Sequence, residues 1–166
     1  MLKRIALTLL AVTAIAAAQE KAPPPPPPPG AVYRLEFTIT ELEGTKKISS
    51  RNYTVLVEDR KLGRIRVGSK VPLSTKEGAI QYFDVGVNID GRPVTIDSAS
   101  VHLDTVIEIT SVAVPEATTA KAPVIRNFRN QTELPMPLDK PVLLTSQDEP
   151  GSNTTIQVQV LAKVVK

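Results

Sequence analysis

After Gly30, apolar residues recur at every second position through most of the chain, and this period limits the fold more than any motif does. In VYRLEFTIT (32–40), Tyr33, Leu35, Phe37 and Ile39 share one face, and Arg34, Glu36, Thr38 and Thr40 share the other. Successive side chains of a strand point to opposite faces, so this is the pattern of a half-buried β-strand. The same texture returns in ISSRNYTVLVED (48–59), GRIRVG (63–68), AIQYFDVGVNID (79–90) and SVHLDTVIEITSV (100–112). It continues, less regularly, in PVIRNFRNQTEL (123–134) and KPVLLTS (140–146), and is clean again in NTTIQVQVLAKVV (153–165). No segment after residue 30 carries a helical stripe, and the stiff β-branched side chains that dominate favour pleated strands. The expected fold is all-β: a single antiparallel β-sandwich or small barrel of about eight strands.

Prolines 72, 93, 115, 123, 135, 137, 141 and 150 are expected between these runs or at their ends, where a missing N–H leaves central ladders intact. Pro72, Pro123 and Gly91 are read in this way as structural punctuation, with Asp90-Gly91 closing its strand. Gly86 breaks the pattern, because it sits inside an otherwise regular strand. It shares its face with Tyr82, Asp84, Asn88 and Asp90, not with Phe83, Val85, Val87 and Ile89, so it is not making room in the core. A glycine inside a strand marks a bulge, a bend or a close backbone approach, and a bend is the preferred reading here.

The N-terminus has a different character. Met1-Leu2-Lys3-Arg4 is a basic start, Ile5–Ile15 is apolar, and Ala16-Ala17-Ala18 gives a small-residue cleavage pattern. Residues 1–18 therefore read as a secretory signal peptide, with an uncleaved anchor as the alternative. The apolar run is short of the ~20 residues that span a bilayer as a helix. Residues 19–30 read as a proline-rich spacer. Pro23–Pro29 are seven consecutive prolines, which form an extended, semi-rigid polyproline II segment. Residues 31–166 form the β-domain, and the expected location is periplasmic or secreted.

Of the 20 basic residues, Lys3 and Arg4 leave with the leader, so the remaining charge is nearly balanced against 17 acidic residues. That balance, with export, argues against a nucleic-acid role. There is no cysteine, so thiol catalysis, thiolate metal sites and disulfide staples are all absent. Three Phe, three Tyr and no Trp leave little for aromatic sugar platforms. The single histidine, His102, projects with Asp104 and Glu108. This set is too small for a convincing metal site or triad, and a solvated strand face explains it better. The acid pairs Glu41/Glu43 and Asp148/Glu149 fall near expected turns rather than in a cleft that would raise one pKa. No catalytic, metal or cofactor residue is assigned. Arg60, Lys61, Arg64, Arg66 and Lys70 are a cationic cluster that would contact an anionic partner or a membrane surface. The simpler reading of the same cluster is charge protection of an edge strand.

One ordered set of segments resembles a known family. The segments are VGSKVPL (67–73), IQYFDVGVNID (80–90), SASVHLDTVIEITSV (98–112) and APVIRNFRNQTELPMPLDKPVLLTS (122–146), followed by the strand at 154–164. Over residues 63–166 they resemble the C-terminal β-domain of bacterial secretins, the outer-membrane gate proteins of type II and III secretion and type IV pili. The resemblance implies a structural β-domain in the bacterial envelope that acts by protein–protein contact with envelope proteins, and it carries over no catalytic residue. The chain departs from secretins in two places. The stretch between Pro72 and Tyr82 is short for pore-forming hairpins, and LDKPVLLTSQDEPG lacks the glycine-rich ending of the family's apolar hairpin. A small-ligand or lipid carrier on a β-barrel is the alternative function, and a hydrolase using His102 with Asp104 is a third.

Overall fold

The computed structural model describes residues 30–74, 79–113, 124–149 and 152–165. The expected signal peptide, the proline run and Pro123 lie outside the described residues. Eight strands follow in chain order: β1 (Val32–Glu43), β2 (Lys46–Glu58), β3 (Gly63–Ser74), β4 (Ile80–Thr95), β5 (Ser100–Ala113), β6 (Val124–Pro137), β7 (Val142–Asp148) and β8 (Thr154–Val165). They form two antiparallel sheets of four, ordered β2-β1-β8-β7 and β3-β4-β5-β6. The chain runs up and down in sequence order, as an eight-stranded barrel would. Among the described residues no ladder joins β2 to β3 or β6 to β7, so the sheets stay open and pack face to face as a sandwich.

The alternation read from sequence sorts residues between core and surface. Tyr33, Leu35, Phe37 and Ile39 of β1 are buried, as are Ile156, Val158, Val160 and Ala162 of β8. From the facing sheet come Val87 and Ile89 of β4, Val101, Leu103 and Ile107 of β5 and Met136 of β6. Thr105 is buried on the same face because its hydroxyl donates to the Asp90 carbonyl at 2.8 Å. These side chains pack between the sheets, and at the β6–β7 side a cavity of about 260 Å³ remains, lined by Ile109 and Phe128 from one sheet and Gln147 and Ile156 from the other.

Two strands run well past the ends that the sequence pattern suggests. β3 runs past Gly68 and through Pro72, and β4 does not stop at Asp90-Gly91 but continues to Thr95. Gly91 is therefore not a turn residue. It lies buried on the inner phase of β4, and a Cβ there would sit 3.0 Å from Leu35 Cδ1 and 3.4 Å from Phe37 Cζ. Prolines also fall inside strands, each at an edge. Pro72 is on β3 and Pro135 and Pro137 are on β6, the two outer strands of their sheet. Pro93 is in β4, beyond the point where β3 begins opposite Gly91, so its absent N–H interrupts no ladder there.

A polar clasp closes the end where β2 crosses to β3. Thr95 donates both its backbone N–H (2.8 Å) and its hydroxyl (2.9 Å) to Asp59 Oδ1. The Thr95 hydroxyl has one proton, already given to the carboxylate, so the Tyr33 phenol must donate across 2.6 Å to Thr95 Oγ1. Burial raises the Tyr33 pKa, the Thr95 contact opposes the rise and nearby Asp59 adds to it. Asp59 N–H bonds to the Ala31 carbonyl and Arg60 N–H to the Pro93 carbonyl, both at 2.8 Å, with Arg60 in the left-handed region at φ 62°. At the β6–β7 crossover, Leu138 N–H bonds to the Ala99 carbonyl and Asp139 N–H to the Ala162 carbonyl. Asp59→Ala leaves the Thr95 donors without their acceptor. The expected cost is about 1–3 kcal/mol in a urea titration, and an unchanged midpoint would show that the clasp is not stabilising.

Candidate functional site

The site is built where the β3–β4 hairpin leaves the rest of its sheet. β4 pairs with β3 from Ile80 to Gly91, but with β5 only from Gly86 onward, where Gly86 faces Thr110. β5 continues past Thr110 and pairs with β6 as far as Ala113. Phe83–Val85 of β4 and Ser111–Ala113 of β5, which the same register would set opposite one another, therefore have no ladder between them among the described residues. The sheet forks at Gly86.

The cause is a pair of glycines. Gly86 lies directly opposite Gly68 of β3, with no register shift along the hairpin, so Gly86 does not mark a bulge. Its φ is +149°, a conformation that L side chains rarely adopt. A Cβ at Gly86 would overlap the Val67 carbonyl oxygen, and one at Gly68 would sit 2.6 Å from the Val85 carbonyl oxygen. The two backbones approach more closely than side-chain-bearing residues allow. In the sequence Gly68 is only the last residue of GRIRVG (63–68). The available signal was symmetry about the turn, because the hairpin also sets Gly63 opposite Gly91.

A cleft of about 410 Å³ opens at the fork, lined by Arg66, Lys70, Asp84, Asn88 and Thr110 around the two glycines. Apolar side chains stand exposed beyond it. Ile80 is 62 % and Tyr82 63 % accessible on one branch, and Val124 is 50 % accessible on the other.

The cationic cluster is dispersed rather than focused. β3 is an edge strand, as charge protection requires. Arg66 pairs with Asp90 at 2.6 Å, Lys70 with Asp84 at 3.0 Å and Arg60 with Asp59 at 3.5 Å. Lys61 and Arg64 are exposed. Ion pairs continue across the outer face of this sheet, with Arg92 on Asp104 at 2.7 Å and Arg129 on Glu108 at 3.1 Å. Strands β3–β6 exceed the ~9–11 residues of a membrane-spanning strand, yet this outward face is a ladder of paired charges rather than an apolar band.

His102, Asp104 and Glu108 do share the outer face of β5, as their phase requires. The register places His102 opposite Val94 and Pro135, while the two carboxylates are engaged by Arg92 and Arg129. Asp148 accepts from the Thr155 hydroxyl at 2.6 Å, and Glu149 from Arg126 Nη1 at 2.8 Å and the Ser152 hydroxyl at 2.9 Å. Among the described residues, no three His, Cys, Asp or Glu side chains come together as a metal site.

Neither a family model nor a curated protein matches this chain. Solved structures do. The fold resembles secretin domains. In the type II secretion outer-membrane complex of Klebsiella pneumoniae (PulD, PulS and the PulC HR domain), the match has a TM-score of 0.57 at 10% identity, over 82% of this chain and 40% of that one. For the Pseudomonas aeruginosa secretin XcpQ the TM-score is 0.55 at 15% identity, over 82% of this chain and 59% of that one. Aeromonas hydrophila ExeD gives 0.58 at 12% identity, over 82% of this chain and 49% of that one. The chain thus spans about half the length of the secretins it matches. The matched 82% is more than residues 63–166 make up, so the likeness extends into β1 and β2 as well.

Gly86→Val tests the origin of the fork. Valine favours an ordinary strand position, but here it meets both the φ and the Val67 carbonyl. We expect a loss of about 1–3 kcal/mol, read as a lowered Tm. A neutral or stabilising result would remove the close-approach account.

Proposed function

We propose that this chain is an exported, non-catalytic β-module of the bacterial envelope that works by protein–protein contact and is related to secretin domains. The observation that carries the reading is the likeness to secretin domains over 82% of the chain. Two of the similar structures contain secretins together with other proteins, PulD with PulS and the PulC HR domain, and GspD with the pilotin AspS. The paired state of Asp104 and Glu108 supports a structural role for the residues nearest to a catalytic set. In this reading residues 1–18 direct export to the periplasm or beyond, and residues 19–30 hold the β-domain away from whatever lies at the mature N-terminus. All five cations of the cluster are exposed, and Lys61 and Arg64 are best placed to meet an anionic partner, since Arg60, Arg66 and Lys70 already face Asp59, Asp90 and Asp84.

Expression of the full chain in a Gram-negative host, followed by fractionation and in vivo crosslinking, tests this directly. The expected result is a shortened product in the periplasmic fraction that crosslinks to a discrete envelope protein. A cytoplasmic product, or a periplasmic one that remains uncrosslinked and monomeric, would contradict the proposal.

A further inference from the structure

We propose that the side of the sandwich formed by the edge strands β2 and β3 docks on an anionic phospholipid surface, at the depth of its headgroups. This rests on the envelope reading above and gives the cationic cluster its partner. The fold enlarges that cluster. β2 and β3 are outer strands of their sheets, and the start of β3 packs on β2, where a Cβ at Gly63 would lie 3.2 Å from Val55 and Val57. Lys46, Lys47 and Arg51 of β2 therefore join the five cations of residues 60–70 on one side of the molecule, and all of them are exposed. Residues 46–70 hold two acidic residues, Glu58 and Asp59, so positive charge is concentrated on this side although the chain as a whole is nearly balanced.

Arg60, Arg66 and Lys70 already face carboxylates, and Lys46 stands opposite Glu43 in the β1–β2 register. Lys47, Arg51, Lys61 and Arg64 make no ion pair among the described residues. These four do not converge. They are spread along β2 and the link to β3, a length of about 40 Å at strand rise. A single anion needs several donors aimed at one point, whereas a headgroup layer repeats its phosphates laterally and is matched by spaced cations. Exposed apolar side chains stand among them: Ile48 and Leu56 on β2, Val67 on β3, and Leu62 on the link between Lys61 and Arg64. Cations interspersed with exposed apolar side chains make the composition of a surface that lies in a membrane interface. The link is fixed in place, since Arg60 N–H bonds to the Pro93 carbonyl at 2.8 Å and Lys61 N–H to the Glu58 carbonyl at 3.0 Å. Leu62 is thus presented with little ordering left to do on binding. The open edges of β2 and β3 limit the depth, because their backbone groups need the water that remains among headgroups.

Cosedimentation of the full chain with vesicles tests this. The probes are vesicles of equal parts phosphatidylglycerol and phosphatidylcholine, and vesicles of phosphatidylcholine alone. Binding to the mixed vesicles should exceed binding to the neutral ones at least tenfold and fall as ionic strength rises. The triple variant Arg51→Gln, Lys61→Gln, Arg64→Gln should lose at least tenfold on the mixed vesicles. Lys140→Gln, at an exposed lysine on the link between β6 and β7, should lose less than twofold. Leu62→Ser should weaken binding to the mixed vesicles at least threefold, because it removes the inserted side chain. All these positions are exposed, and an unchanged Tm confirms that each variant is folded. Equal binding to the two kinds of vesicle, or undiminished binding by the triple variant, overturns the proposal and leaves the cations as edge protection. Displacement by inorganic phosphate at matched phosphate concentration also overturns it, since the ligand would then be the free anion. So does displacement by polyglutamate combined with no effect of Leu62→Ser, since the partner would then be an acidic protein. A cytoplasmic product in the fractionation above sinks the envelope reading itself. A periplasmic product that ignores anionic vesicles sinks only the membrane contact.

Discussion

The structure depends on β1. It pairs along its whole length with β2 on one side and with β8 on the other. Its inward face, Tyr33, Leu35, Phe37 and Ile39, is the buried centre against which the second sheet packs. With no disulfide to constrain the unfolded chain, stability comes from this apolar contact and from the clasp that ties Tyr33 through Thr95 to Asp59. Each fully buried aliphatic side chain contributes on the order of 1.5–3 kcal/mol before entropy is counted. A contiguous aliphatic core can therefore hold two sheets together without a closing ladder.

The second sheet is shaped by its glycines. One hairpin carries two cross-strand glycine pairs with different effects. At Gly63 and Gly91 the missing side chains let the hairpin press against the first sheet, where a Cβ would crowd Val55, Val57 and Leu35. At Gly68 and Gly86 the strands approach each other, the Gly86 backbone leaves the ordinary strand region and the ladder to β5 ends. The first pair anchors the hairpin, and the second lies where its pairing with β5 ends.

Much of this is written in the sequence. The phase of Tyr33–Ile39, Phe83–Ile89, Val101–Ile109 and Ile156–Val164 sorted inner from outer faces correctly, because each strand has one face buried and one solvated. The outward position of Gly86 followed from the same phase. Strand ends were less legible. Pro72, Pro135 and Pro137 look like terminators along the chain, yet an edge strand tolerates them, and which strands form edges is a property of the assembled sheet. Gly91 looks like a turn for the same reason, since its inward role is fixed by Leu35 and Phe37 from a distant strand. The choice between barrel and sandwich was also beyond reach, because the strand order is the same in both and only the missing β2–β3 and β6–β7 ladders separate them. The fork required knowing that Gly68 and Gly86 face each other.

The fold has a packed base, and among the described residues the β4–β5 ladder stops at Gly86 while the β3–β4 and β5–β6 ladders continue. Amide hydrogen exchange on the native protein tests that architecture most directly, because it reads each stretch of ladder separately. The account predicts slow exchange along Tyr33–Ile39 and Val87–Ile89. Within Phe83–Val85, the amides facing away from β3 should exchange rapidly. Uniform protection from Phe83 through Ile89 would mean that the β4–β5 ladder continues past Gly86, and the fork would not exist.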